Sequence, residues 1–347
     1  MKACILYGVH DLRYEDYPEP IITNDEEVVV RVLRGGICGS DMHYYEEGGI
    51  GSVIRVREPI IIGHEGVGIV EQAGSMVTTA SVGDMVVIRP ARPCFHCVYC
   101  DKKMFSYCEN MRHLGSAALM PHTMGLFSEK VLLHQCQLRV VKDLKPEIGA
   151  FVEPLAVAYH GVRNLGDLIG KSVLVMGAGP IGCLCAAAAK AQGAETVTVI
   201  DVRQPPLGIA LQMGADVVCN SKENPDQIAR WKEHKGSFDL MIEASGNRFA
   251  VIDGMAMTRP EGIISQVGQF GADQMPDLGL FVVKGFQWRA VMRFYDEFTP
   301  ATRALERGII NPLPLLSAIY PPEECVEAMK IALSPETAKV QIVINKQ

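Results

Sequence analysis

The apolar positions of this chain change rhythm near residue 150. Before that point they come in short β-branched runs. Residues 2–7 and 26–34 read as strands, the second built on Glu27-Val-Val-Val-Arg-Val-Leu33. Gly and Pro punctuate the chain up to about residue 100, which predicts short strands, many turns and a compact β domain. Beyond residue 150, apolar strand-like runs alternate with helical stretches. Val173–Val175 predicts a buried strand, Cys183–Ala191 an Ala-rich helix and Val197–Ile200 a second strand. Asp239–Glu243 and Gly262–Gly268 predict further strands of one parallel sheet, and Pro300–Arg307 a helix. The closing piece, Ala338–Ile344, is β-rich again and is expected to return to the first domain, making the alternating region an insertion.

The junction between the first predicted strand and its helix carries candidate chemistry. Gly177, Gly179 and Gly182 form G-x-G-x-x-G with Pro180 and Ile181 between the last two, and Asp201 ends the second strand 19 positions after Gly182. Glycines there let backbone approach a pyrophosphate, and the helix N-terminus supplies N–H donors and the positive end of its dipole. An acid at this spacing suits the ribose hydroxyls of a bound dinucleotide. The bland reading is a tight strand-to-helix turn with no ligand; strand, helix, strand and acid in sequence favour the nucleotide site. Arg203, two positions on, suits a 2′-phosphate, so NAD and NADP both stay open.

Composition narrows the classes. The 347 residues are 48% hydrophobic and 21% charged, enough for two domains with sizeable cores. The formal net charge is −7 and no Lys/Arg block stands out, so no nucleic-acid partner or anionic membrane surface is expected. The N-terminus turns polar too early for a signal peptide, and the longest apolar or small run, Val173–Ala189, is short for a membrane span and broken by Gly and Pro. Eleven cysteines, four of them tightly clustered, suggest thiols used for metal in a cytoplasmic protein rather than a disulfide framework.

Two groups of metal-ligand residues precede the insertion. Cys94-x-x-Cys97-x-x-Cys100 with Cys108 offers four thiolates for a closed tetrahedral shell, the pattern of a structural zinc; His96 is a further candidate that four cysteines leave unneeded. Cys38, His64 and a carboxylate from Glu65, Glu153 or both offer the three-ligand set of a catalytic zinc with one open position. Asp41 is placed to orient the ring of His64. Singly, Cys38 reads as a small buried hydrophobe and His64 as a core histidine; together they read as a site.

These motifs resemble the zinc-containing medium-chain dehydrogenase/reductase superfamily over essentially the whole chain. Gly63-His-Glu-x-x-Gly68-x5-Gly74-x-x-Val77 matches its zinc signature in full. Gly36-Ile-Cys-Gly-Ser-Asp-Met-His-Tyr-Tyr45 and Glu153-Pro-Leu-Ala-Val157 are similar to the polyol (sorbitol) dehydrogenase branch, which has a glutamate where alcohol dehydrogenases use a second cysteine. Met124-Gly-Leu-Phe127 departs from the pattern, where relatives carry a second glycine.

The resemblance implies an α/β-plus-β fold. A doubly wound Rossmann domain at 149–290 would be inserted in a GroES-like catalytic domain made of 1–148 and 291–347, with a zinc lobe at about 90–112. It implies two Zn2+ per subunit and NAD or NADP, a sugar acid or polyol as substrate, and a homodimer or homotetramer. Carried onto this sequence, Ser40 and His43 fall where the family keeps its proton relay and Tyr44 where it keeps a substrate contact. Arg293 falls at a coenzyme or substrate contact, Val267 at a coenzyme contact, and Glu65 either ligates zinc or stands behind it; Glu153 ligates directly or through water. For Arg203 and Arg293 the alternative is a solvated charge, and for Tyr44 core packing. An aldonate carboxylate would need a cation or donor, for which Arg112, His113, His122 and Arg293 are candidates. Other polyols, threonine or a sugar phosphate are rival substrates, and an inactive nucleotide-binding regulator is the rival of another class.

Overall fold

The computed structural model describes residues 1–51, 53–270 and 279–346. The chain divides into two compact units: Met1–Glu153 with Phe298–Arg307 and Leu316–Gln347, and Pro154–Glu297 with Gly308–Leu315.

The first unit is β-rich. Its long strand Glu27–Gly36, read at 26–34 from the β-branched run, pairs antiparallel with Glu65–Ala73, with Lys130–His134 and with the last strand, Lys339–Val343. Strand partners along both of its edges place it inside the sheet, and its valines Val28, Val29, Val30 and Val32 are all buried. The chain's closing strand therefore does return to the first unit. A smaller sheet of Asp11–Asp16, Lys2–Gly8 and Ile60–Ile61 packs into the same core.

The second unit holds a six-stranded sheet whose neighbouring strands are all parallel. Its spatial order is Val217–Asn220, Thr196–Asp201, Ser172–Met176, Phe238–Glu243, Thr258–Gln266, Gln287–Ala290. The chain reverses direction across the sheet between the third and fourth of these, the point where doubly wound folds bind nucleotides beyond the carboxyl ends of their strands. The helix predicted at Cys183–Ala191 begins earlier, at Pro180, because proline costs nothing at a first helical position whose N–H has no partner. Its alanines are almost all buried and let it lie close to the sheet. The helix read at Pro300–Arg307 spans Phe298–Glu306.

Candidate functional site

Cys38 follows the long strand and caps the helix Gly39–Glu47. Asp41, in that helix's first turn, is fully buried and accepts from the Cys38 backbone N–H at 2.9 Å and the Gly63 N–H at 3.0 Å. One carboxylate thus fastens the loops carrying Cys38 and His64. Its Oδ1 lies 3.8 Å from His64 Nδ1, too long for a hydrogen bond, so Asp41 positions His64 mainly through the backbone rather than through the ring. Gly63, at φ 89°, makes the turn before His64, and a Cβ on Gly125 would lie 2.4 Å from the Gly63 carbonyl oxygen. The departing loop Met124–Phe127 therefore uses its one glycine for close backbone approach.

The ligand atoms of Cys38, His64 and Glu65 all lie within 4.8 Å of one another. Behind them stands a residue the sequence reading missed. Lys339, buried in the closing strand, places Nζ 2.8 Å from both Glu65 carboxylate oxygens and 3.0 Å from the Ile37 carbonyl oxygen. Gly36 leaves the room: a Cβ there would meet Glu65 Oε2. Glu153, at the start of helix Val152–Arg163, is buried too, and stands outside the tight three-residue set. Burial, with Glu65 and Asp41 nearby, pushes its carboxyl up to about 7 against the pull of His64 and Lys339. Burial opposes charge on His64, yet Cys38, Asp41 and Glu153 outweigh it and raise the imidazole well above its ordinary range. A thiol, three carboxyls, an imidazole and one ammonium are gathered here, and Cys38, His64 and Glu65 are spaced so that they could hold a metal ion.

Ser40 is half-buried in the same first turn. His43 is exposed, with Nδ1 3.0 Å from Glu47. Tyr44 is buried and its hydroxyl accepts from the Ala117 N–H at 3.1 Å. His113 stacks edge-on against His64, ring centroids 5.2 Å apart, and its Nδ1 donates to the Leu114 carbonyl oxygen at 3.0 Å. Arg112 donates to Pro121 O. His122 is buried with both ring nitrogens committed: Nε2 accepts from Arg57 N at 2.9 Å and Nδ1 donates to Leu119 O at 2.9 Å.

In the lobe, Cys94, Cys97, Cys100 and Cys108 bring their sulfurs within 4.8 Å of one another. The Glu109 backbone N–H leads a set of donors that hold the Cys97 thiol down to about 6, while burial pushes Cys108 up to about 12. Four thiols gathered around N–H donors suit thiolates on a metal. His96 is exposed, its ring against the Cys94 carbonyl.

In the second unit, Gly177 turns at φ 98°, and a Cβ on Gly182 would sit 1.9 Å from the Gly177 carbonyl oxygen. Gly179 caps the helix at Pro180, with Ile181 and Gly182 in its first turn. Gly177 and Gly182 leave no room for a Cβ, whereas Gly179, at φ −64°, has open space around it. Asp201 accepts from Ala178 N at 2.8 Å and from Val202 and Arg203 N–H at 2.7 and 2.9 Å, which ties the second strand's end to the glycine turn. The Arg203 side chain is exposed, 3.7 Å from Asp201. Val267 follows strand Thr258–Gln266 and donates to Glu243 O at 2.8 Å. Arg293 is half-buried at φ 55° after strand Gln287–Ala290.

Residues 24–143 match the family described as Alcohol dehydrogenase GroES-like domain, and residues 180–307 the one described as Zinc-binding dehydrogenase. The chain is 38% identical to the L-idonate 5-dehydrogenase (NAD(P)(+)) of Escherichia coli K12, covering 99% of this chain and 98% of that one. It is 32% identical to a probable D-xylulose reductase A of Neosartorya fischeri, over 94% and 92%. The crystal structure of L-idonate 5-dehydrogenase from Escherichia coli superposes with a TM-score of 0.94 at 37% identity, covering 99% and 98%. Among the described residues, no helix is long and apolar enough to cross a membrane.

Proposed function

This chain belongs to the zinc-binding alcohol dehydrogenase family, as an NAD(P)-dependent enzyme of its polyol and sugar-acid branch, and we propose that its substrate is L-idonate, oxidised reversibly at a secondary alcohol to 5-keto-D-gluconate. The observation that carries the reading is the Cys38–His64–Glu65 cluster, set in a chain 38% identical throughout to an L-idonate 5-dehydrogenase.

Cys38 and His64 would hold the catalytic zinc. Glu65, clamped by Lys339, would stand behind them, and Glu153 would contribute directly or through water. A zinc bound there would supply Lewis acidity to the substrate hydroxyl, and a bound dinucleotide would supply the hydride acceptor. Ser40 takes the hydroxyl proton and His43, exposed beside Glu47, releases it to solvent. The Gly177–Gly182 turn cradles the pyrophosphate, Asp201 the ribose, and Val267 and Arg293 border the coenzyme. Tyr44 shapes the substrate side from within the core. The four lobe cysteines hold the second zinc.

His113 packs edge-on against His64, and that nearness supports it as the partner for the substrate's polar end. His113→Ala is expected to raise KM for L-idonate at least tenfold and for sorbitol far less; equal effects would remove His113 from substrate recognition. The polyol reading draws on the 32% identical xylulose reductase. Reduction of NAD and NADP with L-idonate, gluconate, sorbitol, xylitol and threonine separates the readings: the highest kcat/KM with L-idonate is expected, and the highest with a neutral polyol overturns the sugar-acid assignment. The edge strand Gln287–Ala290 has Thr258–Gln266 as its strand partner, and Val282 and Val283 nearby are exposed. This supports a homodimer that extends the sheet, which light scattering tests.

A further inference from the structure

Glu243 takes no part in the chemistry above, yet it is a fully buried carboxylate at the end of strand Phe238–Glu243, directly across from Met176 and the glycine turn. A charge placed there costs several kcal/mol unless its lone pairs are filled. Neutral donors fill them. Oε1 accepts from Ser245 N at 2.7 Å, Gly246 N at 3.0 Å and the Ser245 hydroxyl; Oε2 accepts from Gln266 Nε2 at 2.6 Å. Its own carbonyl accepts from Val267 N at 2.8 Å and Gly268 N at 2.9 Å.

The loops held this way follow the fourth and fifth strands, and the first of them borders the sheet's switch point. The Ser245 N lies 2.9 Å from where a Gly177 Cβ would be, so this loop abuts the pyrophosphate turn. Gln266 carries the network outward: Nε2 also donates to Gly268 O at 2.6 Å, and Oε1 accepts from Trp288 Nε1 at 3.2 Å on the edge strand.

We propose that Glu243 is a positioning residue for the dinucleotide, fixing the loops at 244–246 and 267–268 in the shape that borders the Gly177–Gly182 turn. Every neighbour of the carboxylate donates, so only an all-acceptor group fits. Glutamine has the same length but must turn an NH2 toward at least one donor.

The test is Glu243→Gln in the full-length zinc-loaded protein, with Ser245→Ala beside it. The direct readout is NADH binding by fluorescence titration, accompanied by zinc content, cofactor-free Tm and the KM for alcohol at saturating NAD. Glu243→Gln should raise the NADH Kd at least tenfold, leave both zinc ions in place and change the alcohol KM less than twofold. Ser245→Ala, which removes one donor, should raise the NADH Kd about threefold. An unchanged NADH Kd in folded Glu243→Gln overturns the proposal, as does an alcohol KM that rises in step with Kd. Should Glu243→Gln fail to fold, Ser245→Ala decides on the same criterion.

Discussion

Lys339 is where a single side chain matters most. Its ammonium sits between both Glu65 oxygens, with both residues almost wholly buried. Burial works against the charge, but Glu65, Cys38 and Glu153 outweigh it and raise the Lys339 pKa above the ordinary lysine value. Removing one member of a buried pair strands the other and costs about 3–5 kcal/mol. Lys339→Met is therefore expected to lower Tm by roughly 10 °C. Adding Glu65→Gln to it should restore part of the loss, measured as a double-mutant cycle by calorimetry; additive losses would show that the two do not act as a pair. Cys38, His64 and Glu65 were legible in the sequence because their motif is contiguous at Gly63–Gly68 and complemented at Cys38. Lys339 was not, since its partner is 274 positions away. A lysine interrupting an apolar closing strand was the one available signal. Glu243 was hidden for another reason: its donors are near in sequence, but it belongs to no recognisable motif.

At the scale of elements, the strand–turn–helix unit from Ser172 to Ala191 is set by local chemistry: β-branched residues, glycines where Cβ has no room, and a proline at the first helical position. That is why it could be read directly, with an error only at the helix start. The pairing of Glu27–Gly36 with three strands, one of them the last in the chain, depends on contacts distant in sequence, and a periodicity reading reaches no further than strand existence. The lobe is an element of a different kind. Its buried cluster, chiefly the four cysteines with Ala91, Met111 and Phe105, offers little apolar packing of its own. Metal binding is therefore expected to supply its folding energy. Cys100→Ser should lose one zinc per chain and make residues 90–112 the first site of limited proteolysis, with the catalytic zinc retained. A lobe that stays protease-resistant would contradict this.

For the whole molecule, Glu297 is expected to contribute to the loss of stability in acid. Burial alone would raise its pKa, but the His160 ring, 3.6 Å away, and the backbone N–H groups of Tyr295 and Glu297 overcome this and hold it down to about 2, against an ordinary 4.5; Arg163 pairs with it at 2.9 Å. A carboxyl depressed in the folded state stabilises above its unfolded pKa, and that contribution disappears as pH falls from about 4.5 toward about 2. Glu297→Gln should flatten the loss of stability across that window in urea titrations; an unchanged acid limb would place the sensitivity elsewhere. Oxidation should require a zinc held by Cys38 and His64, and zinc analysis of Cys38→Ala beside the wild type, paired with NAD reduction on L-idonate and sorbitol, checks that requirement. Two zinc ions are expected per wild-type chain and one in Cys38→Ala, with oxidation of both substrates lost. Two zinc ions in the variant, or oxidation that survives with one, would contradict it.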